Sequence, residues 1–310
     1  MAAYVDEHRS RFRVGPICRV LSESLDCGFL TPRGCRMFRT RPVSRMRARR
    51  EALARAVLQI RSDFFMAVYG CGKMHAQLVA QGRDPAGVDR GRVMNIMRGL
   101  GIRGVRRGKP PVTAKPAKGA GGRPDLVDGR FEACAPNRLH VAGITYVRMA
   151  NGSFGCTAFA DGVYARRIVG WACAMTMNTQ ELPLQALGQA ISWAASRGGA
   201  DGLIRHGDHG TQCIGTVYAT GVMEYGMLPS TGTVGDSYDN AMAESADGAY
   251  KTELVRRRKP FLDIDDLELA TFRWVSWWNS KRLHRSLGYR TPEAVETEYH
   301  QHQAAQAASL

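Results

Sequence analysis

Asp208 stands just beyond a short apolar stretch, residues 202–206, in the segment LIRHGDHGTQC. Ligands of open α/β sheets gather at the carboxyl ends of strands, so an acid placed there is a candidate to hold one. The second informative segment is VGDSYDNAMAESADGAYKTEL. If residues 238–254 are helical, Asn240, Glu244, Asp247 and Lys251 recur at steps of four, three and four and share one face. An amide, two acids and a lysine do not make a packing face, although such a face taken alone reads first as a solvated one. With Asp208 the pattern sharpens. One carboxylate sits at a strand end and another on a later helix, with 35 residues between Asp208 and Glu244. An Asp-Asn step ends four residues before the glutamate, and a lysine follows seven after it.

These residues need a sheet and helices to bring them together. Strands are expected at 138–147, 153–161 and 167–173. A helix follows at about 180–197, with Leu184, Leu187, Ala190, Ile191 and Ala194 as its buried stripe. A short strand at 202–206 then leads to Asp208. Helices at about 212–226, 238–254 and 263–280, with an extended stretch at 228–234, complete the pattern. Strands in a run, then strands alternating with helices, predict an α/β domain: a mixed sheet flanked by helices.

The region ahead of this domain differs in charge. Residues 1–130 hold 27 Lys and Arg against 10 Asp and Glu, whereas residues 131–310 hold 16 against 18. A basic part joined to a near-neutral one fits an arm that neutralises phosphates and a core with another task. A genome rich in Arg codons is the plain alternative, but it would have raised the second part too. Helices are expected at 16–25 and 43–61, the latter with Leu53, Val57 and Ile60 at helical spacing. Two more, at 69–82 and 84–104, carry apolar stripes of Met74, Leu78 and Val79, and of Val88, Val93, Ile96, Met97 and Leu100. Joined by a turn, with Arg90, Arg92 and Arg98 on the second, they read as a helix-turn-helix-like unit set on DNA or as an ordinary helical hairpin. Residues 105–130 lack apolar periodicity and contain Pro, Gly and basic residues, Arg106, Arg107 and Lys109 among them. The expected organisation is therefore a basic helical region at 1–62, a helix-turn-helix-like segment at 63–106, a basic linker at 107–135, a core at 136–299 and a frayed tail at 300–310.

The eight cysteines include no CxxC pair and read as reduced thiols. A zinc site from Cys18, Cys27, Cys35 and His8 has the wrong spacing. No run approaches the length of a membrane span and no signal peptide is evident, so a cytoplasmic, nucleoid-associated protein is expected.

With the motifs in order, the chain resembles the retroviral-integrase-type transposases of bacterial insertion sequences, in particular their OrfB component. PICRVLSE, the YG-to-LGIRG segment, NRLHVAGITYV, RRIVGW, GDHGTQC, GDSYDNAMAES, YKTEL and WWNSKRLHRSLGYRTPEA carry the resemblance over nearly the whole chain. It implies an RNase-H-like fold and a triad of two Asp and one Glu holding two divalent cations, Mg²⁺ or Mn²⁺. Such a pair activates the attacking oxygen and stabilises the leaving one at the scissile phosphate. Without cations, clustered carboxylates would raise one another's pKa, so the cluster makes sense mainly as a cation site. By the resemblance, Asp208 is the second acid, Glu244 the third, and Lys251 a basic residue against the DNA end. The implied partners are double-stranded DNA, further copies of the chain on that DNA, and a protein from an upstream reading frame.

The first acid of the triad should fall on the first strand, where members of the family read ADITYV. This chain reads AGITYV, and the position is Gly143. Asp161, at the end of the second strand, reads as a structural residue, and Glu132 lies before the first. Other departures cluster nearby. His140 stands where Trp is usual, Gly207 where Ser is common, His209 where Arg is common and Asp247 where Asn is common. Trp277, Trp278, Asn279, Arg282 and His284 either brace the core, with Arg282 capping a helix, or contact DNA. The expected function is metal-dependent DNA cleavage and strand transfer of an insertion sequence, impaired at Gly143. The alternatives are an inactive DNA-binding relic occupying transposon ends, a nuclease of the same fold, and an α/β protein with no DNA role.

Overall fold

The strand that carries Gly143 lies at the centre of a five-stranded sheet, seen in a computed structural model. The structure describes residues 1–25, 28–83, 88–106, 124–176, 182–207, 216–232 and 241–309. Strands β1 (Leu139–Arg148), β2 (Phe154–Gly162), β3 (Arg167–Ala174), β4 (Ile204–Gly207) and β5 (Leu228–Thr231) are ordered β3-β2-β1-β4-β5. The first three pair antiparallel, while β4 runs parallel to β1 and β5 parallel to β4. This is the mixed sheet the sequence predicts.

Buried on both faces, β2 reads as a nearly continuous apolar run. One face carries small residues. Ala158, Ala160, Gly170 and Ala172 let helix α7 (Leu182–Ala195) approach closely, and Ala186 and Ala190 pack down on them. On α7 the expected stripe is buried at Leu187, Ala190, Ile191 and Ala194, while Leu184 is only partly covered. The other face carries bulk. Phe159 meets Tyr250 of α9 (Ala241–Glu253) at 5.1 Å and Trp274 of α10 (Ile264–Ser280) at 5.7 Å between ring centroids. Asp263 caps α10 by accepting a hydrogen bond from Asp266 N at 2.8 Å. Helix α8 (Thr216–Glu224) precedes β5.

The chain divides into two compact units, Met1–Arg55 and Ala56–Leu310. In the first, α1 (Ala2–Phe12), α2 (Val14–Ser24) and α3 (Pro32–Thr40) surround Val5, Ile17, Cys18 and Cys35. Cys18 and Cys35 are free thiols in that core, and burial pushes the Cys18 thiol up, helped by Cys35. Only α2 of these three was expected. In α3, Thr31 accepts from Gly34 N at 3.0 Å and Pro32 opens the helix, a start signal the run of arginines obscured. Helix α4 (Arg45–Arg61) follows, with Leu53, Val57 and Ile60 buried as expected.

The second unit also takes in α5 (Cys71–Ala80) and α6 (Arg90–Gly99), the expected helix pair. Both are shorter than the sequence implied. Helix α5 starts after Gly70 and stops before Gly82, whose φ is +63°; α6 starts only at its cap Asp89 and stops before Gly101, whose φ is +67°. Met74, Leu78, Val93, Ile96 and Met97 are buried, whereas Val79 and Leu100 face out. The segment is anchored to the sheet domain. Tyr69 is fully buried, and its hydroxyl accepts from Leu283 N at 3.0 Å. The Phe65 ring stacks on Trp277 at 5.2 Å. Gly104 passes so close to Gly70 that a Cβ there would lie 2.6 Å from backbone atoms.

A last helix, α11 (Pro292–Ala308), was not anticipated and runs through residues expected to fray. Thr291 caps it, and buried Glu296 joins Arg167 of β3 at 3.3 Å. Among the described residues no helix is long and apolar enough to cross a membrane.

Candidate active site

Helix α9 lies across the face of β1 that carries Gly143. A Cβ built on Gly143 would sit 3.0 Å from Asp247 Oδ2, 3.4 Å from the Asp247 carboxyl carbon and 3.2 Å from the Ala243 Cβ. The place for a side chain at 143 is thus bordered by α9, and the nearest group in it is a carboxylate. Glu244 is exposed in the first turn of α9, one turn before half-buried Asp247; Lys251 follows a turn later, also half-buried. The predicted helix face therefore exists for Glu244, Asp247 and Lys251. Asn240 and Asp208 lie outside the described residues. What is described is where β4 ends: Gly207 pairs with Ala142, immediately before Gly143.

Asp161 is opposite Val141 in the β1–β2 register, on the same side of the sheet as Gly143. It is 2% exposed, and neither carboxylate oxygen has a hydrogen-bond partner among the described residues. Burial pushes its carboxyl well above the usual range; the charge of Asp247 adds to this, and Arg205 and Arg166 oppose it. It is thus a buried acid at the end of β2, raised further by a second acid. It lines a cavity of about 220 Å³ with Arg166, Met242, Ser245 and Ala246. On the opposite face of the sheet His140 is fully buried, with neither ring nitrogen partnered among the described residues. Burial, then the nearby Arg205 guanidinium, lower its pKa to about 3.

The Integrase core domain family matches residues 225–292, the stretch that contains α9 and α10. The chain is 42% identical over 243 residues to the transposase for insertion sequence element IS986/IS6110 of Mycobacterium tuberculosis, covering 75% of this chain and 83% of that one. It is 37% identical over 303 residues to the transposase for insertion sequence element IS629 of Shigella sonnei, with 97% of each chain covered. This chain belongs to the insertion-sequence transposases. Among solved structures, the catalytic core domain of HTLV-2 integrase in complex with magnesium aligns over 53% of this chain and 99% of that one, at 15% identity and a TM-score of 0.42.

In this transposase the segment WWNSKRLH braces the fold. Trp277 and Trp278 are buried, and Trp278 Nε1 donates to the Arg166 carbonyl at 2.8 Å. Asn279 clamps β3 at Ile168, accepting from its N at 3.0 Å and donating to its carbonyl at 2.8 Å. Arg282 closes the end of α10 through its backbone N–H, which donates to the Trp277 carbonyl at 2.8 Å. Its side chain does something else. It makes a buried two-pronged pair with Glu253, at 2.8 and 2.6 Å, and lies over the Trp278 ring at 4.2 Å. The Arg–carboxylate fork needs a planar partner held rigidly, which the end of α9 supplies. Burial, then Arg282 and Lys73, drive the pKa of His284 down to about 2, so its ring is neutral there.

The residues expected to meet DNA are distributed over several elements. Arg90, Arg92 and Arg98 are exposed on α6; Arg98 lies opposite buried Val93, Ile96 and Met97, and the Arg90 side chain bonds Cys71 of α5. Arg92 is held by Asp89 at 3.1 Å. Arg106 is exposed, and Arg107 and Lys109 lie outside the described residues. Sequence reasoning missed the roles of Glu253 and Tyr69. Their partners, Arg282 and Leu283, lie 29 and 214 residues away, beyond any local pattern.

Proposed function

We propose that this chain carries out metal-dependent cleavage and strand transfer of DNA for an insertion sequence, at a rate reduced by Gly143. Asp208 and Glu244 hold the cations in this reading. The donors are carboxylate oxygens, the ligand type Mg²⁺ and Mn²⁺ require. Two such cations supply activation of the attacking water or 3′-hydroxyl and stabilisation of the leaving oxygen. The chain's own groups do the rest. Asn240 and Lys251 orient the DNA end, while Arg90, Arg92, Arg98, Arg106, Arg107 and Lys109 neutralise phosphates and fix register. The substrate is double-stranded DNA at transposon ends and targets, bound by more than one copy of the chain in the cytoplasm at the nucleoid. A protein from an upstream reading frame joins this assembly.

The observation that carries the reading is Glu244, exposed on the first turn of a helix that packs on β1 beside Gly143. The test is Glu244→Gln in the full chain with a matching transposon end. End joining should fall about a thousandfold, the order expected when a ligand leaves a two-metal site, with end binding unchanged. Joining at the wild-type rate by this variant would refute the assignment. Gly143 favours a second reading, an inactive chain that occupies transposon ends. Metal-dependent nicking by the unaltered chain decides between them.

A further inference from the structure

We propose that the cleft between α5, the β2–β3 turn, α9 and the chain after α10 seats a phosphate of the DNA backbone. The inference rests on the transposase reading above and deepens it, since none of the basic residues involved belongs to the DNA-contacting set named there. The cleft is a cavity of about 220 Å³. Lys73 of α5, Arg166 of the turn, and Arg282 and Arg285 beyond α10 line it, against a single lining acid, Asp161. Glu253 neutralises Arg282 in the buried pair described above, so three cations remain against one acid. Neither Arg166 nor Arg285 makes an ion pair with a described residue. The convergence of positive charge is felt by His284, whose pKa burial lowers first and Arg282, Lys73 and Arg166 lower further.

Asp161 points to what the cleft accepts. It is 2% exposed and lines the cavity, and neither of its oxygens is hydrogen-bonded among the described residues, although the Arg166 charge reaches it. Acid and base thus stand on one cavity without closing on each other. Burial, then Asp247, push the Asp161 carboxyl well above the usual range, which favours its neutral, proton-donating form. A cation cannot accept that hydrogen. A phosphate oxygen can, while its other oxygens take guanidinium N–H groups. A buried polar group left unbonded costs free energy, and an anion bridging Asp161 and Arg166 relieves it.

The place of the cleft favours a backbone phosphate over a free anion. Ser245, the residue after Glu244 on α9, lines it, and Arg285 and Ser286, both exposed, form its rim. A strand seated there lies against the helix that carries Glu244 and, through Lys73, against the α5–α6 segment.

The experiment measures binding of the full chain to a matching transposon end in which one phosphate at a time is replaced by an uncharged methylphosphonate. For the wild type, neutralising the seated phosphate should weaken binding about tenfold, the size of one charge-assisted contact. Arg166→Gln and Arg285→Gln should each weaken binding to the unmodified duplex and lose sensitivity at that phosphate while keeping it elsewhere. Asp161→Asn should bind at least as tightly as the wild type. Thermal melts establish that each variant is folded; Arg285 is exposed, and Trp278 bonds the backbone of Arg166 rather than its side chain. The proposal is overturned if both arginine variants keep the wild-type pattern, or if Asp161→Asn weakens binding as they should. It is also overturned if inorganic phosphate raises the melting temperature while no single linkage depends on Arg166, which would make the cleft a free-phosphate site. End joining separates the failures. Where the wild type still joins ends, the transposase reading stands without the cleft; where it neither binds nor joins them, both fail.

Discussion

His140 shows what one residue can cost a core. It is a fully buried imidazole with neither nitrogen partnered among the described residues, and its pKa is lowered to about 3. An unfolded histidine titrates near 6.5, so below that pH the unfolded chain takes up a proton the folded chain refuses. Stability from this residue is therefore complete above about pH 6.5 and is lost progressively as the pH falls toward 3. Between pH 6.5 and 5 the loss is about 2 kcal/mol. His140→Phe should remove this part of the acid limb, read as a smaller drop in urea midpoint from pH 7 to pH 5 than the wild type shows. An unchanged drop would mean His140 is not neutral in the fold. Asp161 works the other way, since a raised carboxyl pKa favours the fold at low pH, so the variant must be compared with wild type rather than with zero. At this scale the sequence was informative about identity and blind to setting. The missing acid at 143 could be read directly, because glycine has no side chain wherever it is placed. That Asp247 borders the same corner could not, because 104 residues separate two positions that only the packing of α9 on β1 brings together.

Between elements, the tightest fit is α7 on β3. A Cβ on Gly170 would lie 2.1 Å from the Ala186 carbonyl oxygen, so the backbone itself would have to move. Gly170→Ala should cost about 3 kcal/mol, the upper range for overpacking. On the other partner, nothing lies within 4 Å of a Cβ at Gly188 of α7. Gly188→Ala should then stabilise by about 0.5–1 kcal/mol through helix propensity. Chemical denaturation of both variants checks the pair, and shifts of the same sign would show that α7 does not pack as described. Elements with a broad buried surface were the ones the sequence revealed: α7 and α10 through a helical stripe, and β1 to β3 through apolar runs buried in the sheet. Helices α1, α3 and α11 escaped for a shared reason. Each carries a narrow buried contact, a single buried residue in α1 and in α3, while apolar residues such as Tyr4, Phe12, Met37 and Phe38 stand exposed, so the apolar pattern does not mark the buried side. The boundaries of α5 and α6 were set by glycines of positive φ and by the Asp89 cap, which override a longer apolar pattern.

Over the whole molecule the dominant feature is charge: a formal +15, with the excess confined to residues 1–130. Such a distribution predicts binding to duplex DNA that weakens steeply with salt, because each phosphate neutralised releases counterions and adds about 0.9 to the slope of log affinity against log salt. The arginines of α6 let this be tested one contact at a time. Arg98 is exposed and turned away from the buried side of its helix, whereas Arg92 is already engaged by Asp89 at 3.1 Å and Arg90 by Cys71 of α5. If α6 lies on DNA, Arg98→Ala should lower the slope by about 1, and Arg92→Ala and Arg90→Ala should each lower it less, because Arg92 is shared with Asp89 and Arg90 with Cys71. If α5 and α6 are only a helical hairpin that anchors Tyr69 to the core, the slope stays at its wild-type value in all three variants. The affinity at one salt concentration cannot make this distinction, since a loosened fold would also weaken binding, but a loosened fold leaves the number of phosphates contacted by the remaining basic residues unchanged. The slope therefore separates an arm that reads the backbone from one that holds the domain together.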